Sequence, residues 1–486
     1  MPVRIFLHRH LPAIVLALSL LGVYLSTLAP GLTWANDGSD GGDLITAAYT
    51  GGVAHPTGYP LYLLLARLFQ FIPLGSLAYR TNLLSALATS LTAALICRIV
   101  TRALDEQGMK HARLAGLIAG FAFGLAPLVW SQAVITEVNA LQAFLTALIL
   151  YLYSFQSGNG KEADRLRGLV MGLALCNHAT ALFLVPLTFI PEPRRNASFP
   201  TRKLLWLSMG LLLYLTLPLR AASDPPVNWG DPVTLERFWW LVSGGSYRSY
   251  YLQFEFVEIW GRLQAWASLL LRQFGWFGAT LGIAGLIVPF KPSRLYLFTA
   301  WTGLVYSLFA ILYSSADSYV YLIPLYASFA IWIGLGSGYA LERFSSGASR
   351  LGAGVLIAGY LVFHAASYGG QVDASKDLRA EKFGRQIMSE VPKDALLFVK
   401  GDRAVFTAWY FHFALDERPD AIVVAEELLH FDWYQETLRD TYPALNIPGP
   451  FPWARNLADA NPTRPACFAQ YTDRAEIDCL EAAASP

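Results

Sequence analysis

The feature that most constrains this chain is a series of apolar runs, each long enough to cross a lipid bilayer. A spanning helix needs roughly 17–25 mostly apolar residues, and because lipid offers no hydrogen-bond partners, each spanning run must be helical. Only 15% of the residues are charged, against about 25% in soluble domains. The chain is therefore predicted to be a polytopic membrane protein. The runs lie near residues 11–29, 77–100, 113–130, 136–156, 203–220, 263–289, 294–313, 319–340 and 351–369.

A tenth apolar segment, residues 166–190, is interrupted by the polar pair Asn177 and His178. It fits either one helix or two short helices that meet at the polar pair. Lysine and arginine collect in the cytoplasmic loops of membrane proteins, and here the basic loops all fall on one side only if the segment enters the membrane and returns. The chain then has about eleven membrane helices, with its N-terminus in the cytoplasm.

The opposite, extracytoplasmic face collects most of the unusual polar residues. Placing an ionisable side chain at the edge of a bilayer costs free energy, so such residues are candidates for a functional role. Their clustering on one side favours a single site over a path across the bilayer. This face holds Asp37, Asp40, Asp43, Glu137, the loop 221–262 and Asp317.

The composition changes from about residue 370, where charged residues return and apolar runs become short. The runs ALLFV and AIVVA are typical of strands, and WYQETLRDTYP is typical of a helix. We therefore divide the chain into a transmembrane domain, 1–369, and a small extracytoplasmic α/β domain, 370–486. The run KGD after the first strand has one glycine, which is too little to indicate a phosphate-binding turn. In an oxidising compartment, Cys467 and Cys479 are able to form a disulfide.

Two acids stand in the first outer loop, 30–76, within the run SDGGDLITAAYT. The spacing of Asp40 and Asp43 puts both carboxylates on one face if the loop becomes helical there. A carboxylate at this place is able to take a proton from an acceptor hydroxyl. The simpler alternative is an acid that caps a helix on a solvated loop.

The first loop continues with HPTGYP, in which two prolines and a glycine indicate a rigid turn around His55. Held in this way, His55 is able to bind a phosphate or to orient an acid. The alternative is a histidine that is only hydrogen-bonded at the membrane interface. Glu137 and Asn139 begin a later span at the same face.

The second outer loop, 221–262, is rich in aromatic residues. This composition suits stacking on a sugar, although the aromatic belts of membrane interfaces have the same composition. Arg220 and Arg248 are candidates for binding a phosphate, and Arg220 is nearly as well explained as a helix end that reaches to the surface. Further candidates in this loop are Asn228, Trp229 and Asp231.

The pattern as a whole matches what transfer from a lipid-linked phosphate donor requires. A carboxylate has to accept the proton of the acceptor, cations have to stabilise the leaving phosphate, and a groove in the membrane has to hold the lipid. The net charge of +1 gives no electrostatic case for nucleic acid as a partner.

Six sequence blocks, spread in order over most of the chain, carry a family resemblance. They are DGGDLITAAYTGGVAHPTGYPLYLLLARLF, RTNLLSALATSL, WSQAVITEVNALQAF, GLALCNHATALFLVP, LRAASDPPVNWGDP and ERPDAIVVAEELLHFDWY. They resemble a widespread family of multi-span membrane proteins, long of unknown function, whose eukaryotic branch includes a protein O-mannosyltransferase of the endoplasmic reticulum acting on receptor ectodomains. HPTGYP and NWGDP are the most specific blocks.

The resemblance implies a GT-C type glycosyltransferase that inverts the sugar, uses a polyprenyl-phosphate donor and takes an acid of the first outer loop as its base. The Asp-x-Gly-Glu of the family falls on Asp40, Gly42 and Asp43, with Asp in place of Glu. Because Asp43 reaches less far than Glu, Asp40 is the first choice for the base. Thr57 replaces a proline of His-Pro-Pro-Gly, and Asn139 stands where the family often has Tyr.

The sequence thus predicts an all-α, GT-C-like glycosyltransferase of the bacterial inner membrane. Mannose or another hexose moves from a polyprenyl-phosphate donor to an extracytoplasmic protein or glycan. No cofactor or resident metal is expected, although three nearby aspartates are able to hold a cation. The alternative is a transporter or flippase for lipid-linked sugars, a class in which charges near the bilayer middle and repeated halves are more common. The candidate residues are Asp40, Asp43 and Glu137 as catalytic acids, His55, Arg220 and Arg248 for the donor phosphate, and Tyr59, Asn139, Asn177, His178, Asn228, Trp229 and Asp231 for substrate.

Overall fold

A computed structural model describes residues 3–155, 160–191, 199–251, 253–288, 293–343, 347–449 and 453–480. Within these residues most of the chain is helical, short 3-10 turns join several helices, and a single four-stranded sheet lies near the C-terminal end. The α-helices are α1 (Val3–Thr27), α2 (Gly41–Thr50), α3 (Pro60–Gln70), α4 (Leu77–Asp105), α5 (Ala112–Gly124), α6 (Pro127–Ala133), α7 (Val138–Ser154), α8 (Gly160–Asn177), α9 (Thr201–Leu211), α10 (Thr216–Ala221), α11 (Leu235–Val242), α12 (Glu258–Ile287), α13 (Ser293–Leu312), α14 (Ile323–Arg343), α15 (Gly347–Val372), α16 (Arg379–Glu390), α17 (Asp402–Trp409), α18 (Asp432–Thr441) and α19 (Ala454–Asp459).

The helical part has the dimensions of a multi-span membrane protein. Seven helices of the described chain are long and apolar enough to cross a bilayer, and the pair α5 and α6, bent by 69°, makes an eighth. The remaining three of the eleven predicted spans are shorter pieces. They are α7, with 17 residues, and the two halves of segment 166–190. Those halves meet at the predicted polar pair, since α8 ends at Asn177 and a 3-10 stretch, Ala179–Phe189, follows His178.

The first outer loop is shaped by local signals in the sequence. Helix α2 stops at Gly51, whose φ of 74° is easily adopted only without a side chain. Helix α3 begins with Pro60, which suits the first helical position because it needs no N–H partner there. Helix α4 is capped by Ser76, whose hydroxyl accepts the Tyr79 backbone N–H at 3.0 Å. Two short helices therefore lie between α1 and α4.

The sheet near the C-terminal end confirms the predicted α/β character. Its strands are β1 (Leu396–Lys400), β2 (Ile422–Ala425), β3 (Ala466–Tyr471) and β4 (Ala475–Leu480), in the order β2-β1-β3-β4. The first three run parallel and β4 runs antiparallel to β3. The sequence pattern predicted β1 and β2 but not β3 and β4. Cys467 and Cys479 are paired across β3 and β4 and form a disulfide.

The sheet and its helices pack directly on the first outer loop. Trp34 packs against the rings of both Phe383 and Tyr471, with ring centroids 5.5 and 4.3 Å away. At Gly42 in α2, an added Cβ would lie 2.3 Å from the backbone oxygen of Phe406 in α17. Helix α15 continues to Val372, past the domain boundary predicted at residue 369. The loop that carries the candidate acids is thus held between the helical bundle and the C-terminal sheet.

Candidate active site

A polar cavity of about 410 Å³ lies where the first outer loop, the start of α7, the 313–321 turn and α17 meet. It brings together Asp40, His55, Tyr59, Glu137, Asn139 and His178, six of the residues predicted for the site. Together with His178 and with Tyr247 and Tyr250 of the second outer loop, these segments, far apart in sequence, build one chamber, as the clustering of polar residues on one face predicted. Its other polar and aromatic lining residues are Asn36, Asp37, Ser39, Gln132, Tyr247, Tyr250, Tyr313, Ser315, Asp317, Tyr319, Tyr321, Asp402 and Arg403.

Asp40 and Asp43, the two acids of the first loop, differ in solvent exposure and in hydrogen bonding. Asp40 stands immediately before α2, makes no capping bond with its side chain, and keeps a carboxylate that is 36% exposed in the cavity. Asp43, one turn later, is completely buried. Its Oδ2 accepts the backbone N–H of His55 at 3.0 Å and contacts His55 Nδ1 at 2.7 Å, while its Oδ1 accepts Trp229 Nε1–H at 3.0 Å. Both oxygens of Asp43 are thus occupied by the protein.

His55 lies between the two acids. Asp43 fixes Nδ1, which turns Nε2 toward Asp40 at 3.6 Å. Burial alone would lower the pKa of His55, but the carboxylates of Asp40 and Asp43 outweigh burial and raise the pKa to about 9. The imidazole is therefore a cation at neutral pH, held in one orientation by a buried carboxylate.

The carboxylates that face the cavity have raised pKa values. Enclosure in the cavity raises the pKa of Asp40 above its ordinary range, and the charge of His55 opposes that rise. Burial and the nearby Asp40 raise the pKa of Glu137 further. Asn139 donates to Glu137 Oε2 at 3.3 Å. A raised pKa makes the Asp40 carboxylate a stronger base than an exposed aspartate, as proton abstraction requires.

A second cavity, apolar and of about 740 Å³, adjoins the first. The two cavities share five lining residues, which form the junction between them. One of the five, His178, is neutral, because its Nδ1 accepts the backbone N–H of Thr180 at 3.2 Å. From the junction an apolar groove runs along the 3-10 stretch after α8, α11 and α13. The junction residues are Tyr59, His178, Tyr247, Tyr313 and Tyr321. The groove itself is walled by Leu182, Phe183, Trp239, Val242, Val305, Leu308, Phe309 and Leu312.

The HPTGYP block forms the predicted turn at this junction. The Gly58 N–H donates to the His55 carbonyl at 2.8 Å, and the Tyr59 hydroxyl donates to the Pro56 carbonyl at 3.0 Å. Tyr59 stacks on His178 with centroids 5.8 Å apart. The block thus carries His55 into the polar cavity and Tyr59 to its border with the groove.

The NWGDP block contacts the residues of the site but, in the part of the chain that the structure describes, does not line the cavities. Among the described residues that line the two cavities, none comes from this block. Trp229 instead donates to Asp43 and packs on Trp433, with centroids 5.7 Å apart. Asn228 donates to Asp231, which pairs with Arg237 at 2.6 Å. Substrate binding by these three residues stays a prediction, and their contacts in the structure are with Asp43, Trp433 and Arg237.

Three further candidates also lie outside the two cavity walls in the described chain. Arg220 donates to the Gly52 carbonyl at 3.1 Å. Arg248 donates to the hydroxyl of Ser243, which lines the groove. Asn177 donates to the Val138 carbonyl, so it braces the start of α7. Phosphate binding by Arg220 or Arg248 stays a prediction, although neither side chain lines the two cavities in the described chain.

Sequence reasoning missed the cavity residues that come from the C-terminal domain. Asp402 and Arg403 directly follow the KGD run's Gly401 and begin α17 at the carboxyl end of β1. The carboxyl edge of parallel strands is where α/β sheets usually bind ligands, so the position of KGD was a usable signal. In the described chain, no group of three or more His, Cys, Asp or Glu side chains is arranged to hold a metal ion.

Comparison with known proteins agrees with this architecture. The structure of ArnT from Cupriavidus metallidurans bound to undecaprenyl phosphate superposes with a TM-score of 0.61 and 14% identity, over 95% of this chain and 92% of that one. The apo structure of ArnT gives a TM-score of 0.59. The chain therefore is a multi-span membrane protein with the GT-C fold.

Comparison by sequence finds similar domains and relatives. The protein O-mannosyl-transferase TMEM260 N-terminal domain matches residues 40–192, and TMEM260-associated domain 2 matches residues 380–476. Protein O-mannosyl-transferase TMEM260 of Mus musculus is 28% identical over 89% of this chain and 65% of its own length. The Dictyostelium discoideum protein of the same name is 22% identical over 90% of this chain and 60% of its own.

The resemblance seen in the sequence blocks is thereby confirmed, because two domain models named for the TMEM260 protein O-mannosyl-transferases match separate parts of this chain and the relatives carry the same name. The chain spans less than two thirds of the length of both relatives. Both matched domains contribute to the polar cavity, since Asp40 to His178 lie in the first match and Asp402 with Arg403 in the second.

Proposed function

We propose that this protein is a membrane glycosyltransferase that moves a hexose, mannose first among the candidates, from a polyprenyl-phosphate donor to a hydroxyl of a protein. The observation that carries the proposal is the junction of a polar, carboxylate-lined cavity with an apolar groove. A lipid-linked sugar has the matching shape, a polar head on a long apolar chain. The name of the relatives supports the acceptor, and the undecaprenyl phosphate bound by ArnT supports the donor.

In this proposal Asp40 is the base. It takes the proton of the acceptor hydroxyl as that oxygen attacks the anomeric carbon from the side opposite the phosphate, which inverts the sugar. His55, held cationic by Asp43, keeps the Asp40 carboxylate ionised by its charge. Tyr59, His178 and Asn139 would contact the sugar. No resident cofactor takes part, so transfer should survive EDTA.

We further propose that the site faces away from the cytoplasm, in a bacterial inner membrane with a cytoplasmic N-terminus. The charge bias of the loops supports this orientation. The disulfide between Cys467 and Cys479 also supports it, because disulfides persist in oxidising compartments.

The test is transfer by purified protein in liposomes, using polyprenyl-phosphate mannose or glucose labelled in the sugar and an unfractionated set of secreted proteins as acceptor. Labelled protein that appears only with the enzyme supports the proposal. Movement of the labelled lipid between leaflets, without any labelled protein, would instead favour the flippase alternative.

A further inference from the structure

One wall of the polar cavity comes from the C-terminal domain and not from the membrane helices. Strand β1 ends at Lys400, the chain turns at Gly401, and the first two residues of α17, Asp402 and Arg403, line the cavity. β1 lies between β2 and β3, at the centre of the parallel part of the sheet. Its carboxyl end is where the loops on either side diverge and leave room for a ligand.

Positive charge is scarce in this cavity. Of the described lining residues, only His55 and Arg403 are cations, because His178 is an acceptor through Nδ1 and therefore neutral. A phosphate-linked donor brings negative charge into the cavity. Further negative charge develops on the phosphate as the sugar leaves, so a cation is needed next to the phosphate. Five carboxylates face the same space: Asp37, Asp40, Glu137, Asp317 and Asp402.

The two arginines that the sequence predicted for the donor phosphate have contacts outside the polar cavity. Arg220 reaches the Gly52 carbonyl, and Arg248 reaches Ser243 at the side of the groove. Arg403 is different. Within the described chain it forms an ion pair with Asp37 at the rim of the polar cavity, with a nitrogen–oxygen distance of 3.6 Å. Its side chain is 42% exposed. A long, single contact is weaker than the two-pronged pair a guanidinium makes with a phosphate.

We propose that Arg403 binds the phosphate of the lipid-linked donor, which makes the C-terminal domain part of the catalytic site. Arg403 exchanges its contact with Asp37 for the phosphate when the donor enters. The bond between the anomeric carbon and the phosphate oxygen then breaks, its electron pair stays on the phosphate, and Arg403 stabilises that charge. The acceptor oxygen forms the new bond to carbon, and Asp40 takes its proton. This inference rests on the proposed function for the identity of the donor.

The experiment measures lipid binding by the purified full-length protein. Undecaprenyl phosphate and undecaprenol, which differ in the phosphate alone, are titrated into wild type, Arg403→Gln and Arg403→Lys. We expect Arg403→Gln to weaken binding of the phosphate by about tenfold or more and to leave binding of the alcohol unchanged. Arg403→Lys keeps the positive charge but loses the two-pronged guanidinium, so its affinity for undecaprenyl phosphate should lie between those of wild type and Arg403→Gln. Arg455→Gln, at an exposed position on α19, is the matched control and binds both lipids as wild type does.

Two results would overturn the inference. One is unchanged affinity of Arg403→Gln for undecaprenyl phosphate. The other is an equal loss of affinity for both lipids, which would mean that Arg403 supports the shape of the site and not the phosphate. Because binding is measured without sugar transfer, the outcome stays distinct from that of the proposed function. If wild type binds undecaprenyl phosphate more tightly than undecaprenol, Arg403→Gln loses that difference, and wild type transfers no sugar, then only the proposed function is overturned.

Discussion

Asp40 and Asp43 are three residues apart, and their carboxylates have different tasks. Asp43 is buried with three donor contacts, so it has no oxygen left for a substrate proton. Asp40 faces the cavity, and its carboxylate lies 3.6 Å from Nε2 of His55, whose Nδ1 contacts Asp43. From sequence, Asp40 is preferred as the base only because Asp43 reaches less far than the Glu of the family. The burial of Asp43 was not predictable, because it depends on Trp229, which is 186 residues away.

The indole of Trp229 provides a direct test of the tethered imidazole. Trp229→Phe keeps the ring but removes the N–H that Asp43 accepts. A hydrogen bond to a buried charge contributes about 1.5–3 kcal/mol, and a mispositioned His55 should lower kcat about tenfold with little change in KM. Steady-state transfer kinetics measure this, with Trp453→Phe at an exposed position as the control. A change confined to KM would argue for direct substrate contact by Trp229.

The pH dependence of transfer follows from two groups. Asp40 has to be ionised to act as base, so kcat/KM should rise as the pH passes its raised pKa. His55 is charged below a pKa of about 9, so the rate should fall above that pH as the cation is lost. The pH profile of His55→Gln should lack this alkaline limb. An unchanged alkaline limb in that variant would show that another group is responsible.

At the scale of elements, the short pieces of the first loop are fixed by what packs on them. Helix α2 carries Asp43, follows directly after Asp40, and touches α17 through Gly42, where any side chain would meet the Phe406 carbonyl. Val53 pairs with Asn228, so the NWGDP block is bound to the chain just ahead of HPTGYP. The two most specific sequence blocks are therefore parts of one structural unit around Asp43.

The contact between α2 and α17 gives a prediction about stability. Gly42→Ala should push the two helices apart and cost about 1–3 kcal/mol, and transfer should fall because Arg403 moves with α17. Thermal unfolding of the purified protein checks the first effect. Gly22→Ala is the control, since no atom lies within 4 Å of a Cβ at that position of α1. Equal stability of Gly42→Ala and wild type would contradict the packing described here.

Elements with a strong local pattern were predictable, and those defined by partners were not. The membrane helices, the break at Asn177 and His178, and β1 and β2 follow from apolar length and periodicity. Strands β3 and β4 were missed because their strand structure depends on partners: β3 pairs with β1, and the largely exposed β4 pairs with β3. The cavity acids were predictable as a group, whereas Arg403 was not, because the fold brings it to Asp37 from 366 residues away.

At the scale of the whole molecule, orientation in the membrane is the property that decides which substrates reach the cavity. Asp459→Cys on α19 and Lys110→Cys in the loop between α4 and α5 place thiols at opposite faces according to the proposed topology. In intact cells, a membrane-impermeant maleimide should label the first and not the second. Labelling of Lys110→Cys alone would reverse the orientation and put the site in the cytoplasm.

The central claim is that the cavity at the membrane edge transfers sugar with Asp40 as base. Single-turnover transfer from polyprenyl-phosphate hexose tests it most directly, with wild type compared to Asp40→Asn and to Asp459→Asn, an exposed acid far from the cavity. Loss of a general base should lower the rate about 100- to 10,000-fold in Asp40→Asn, while Asp459→Asn keeps the wild-type rate. A folded Asp40→Asn protein that transfers sugar at the wild-type rate would contradict the account.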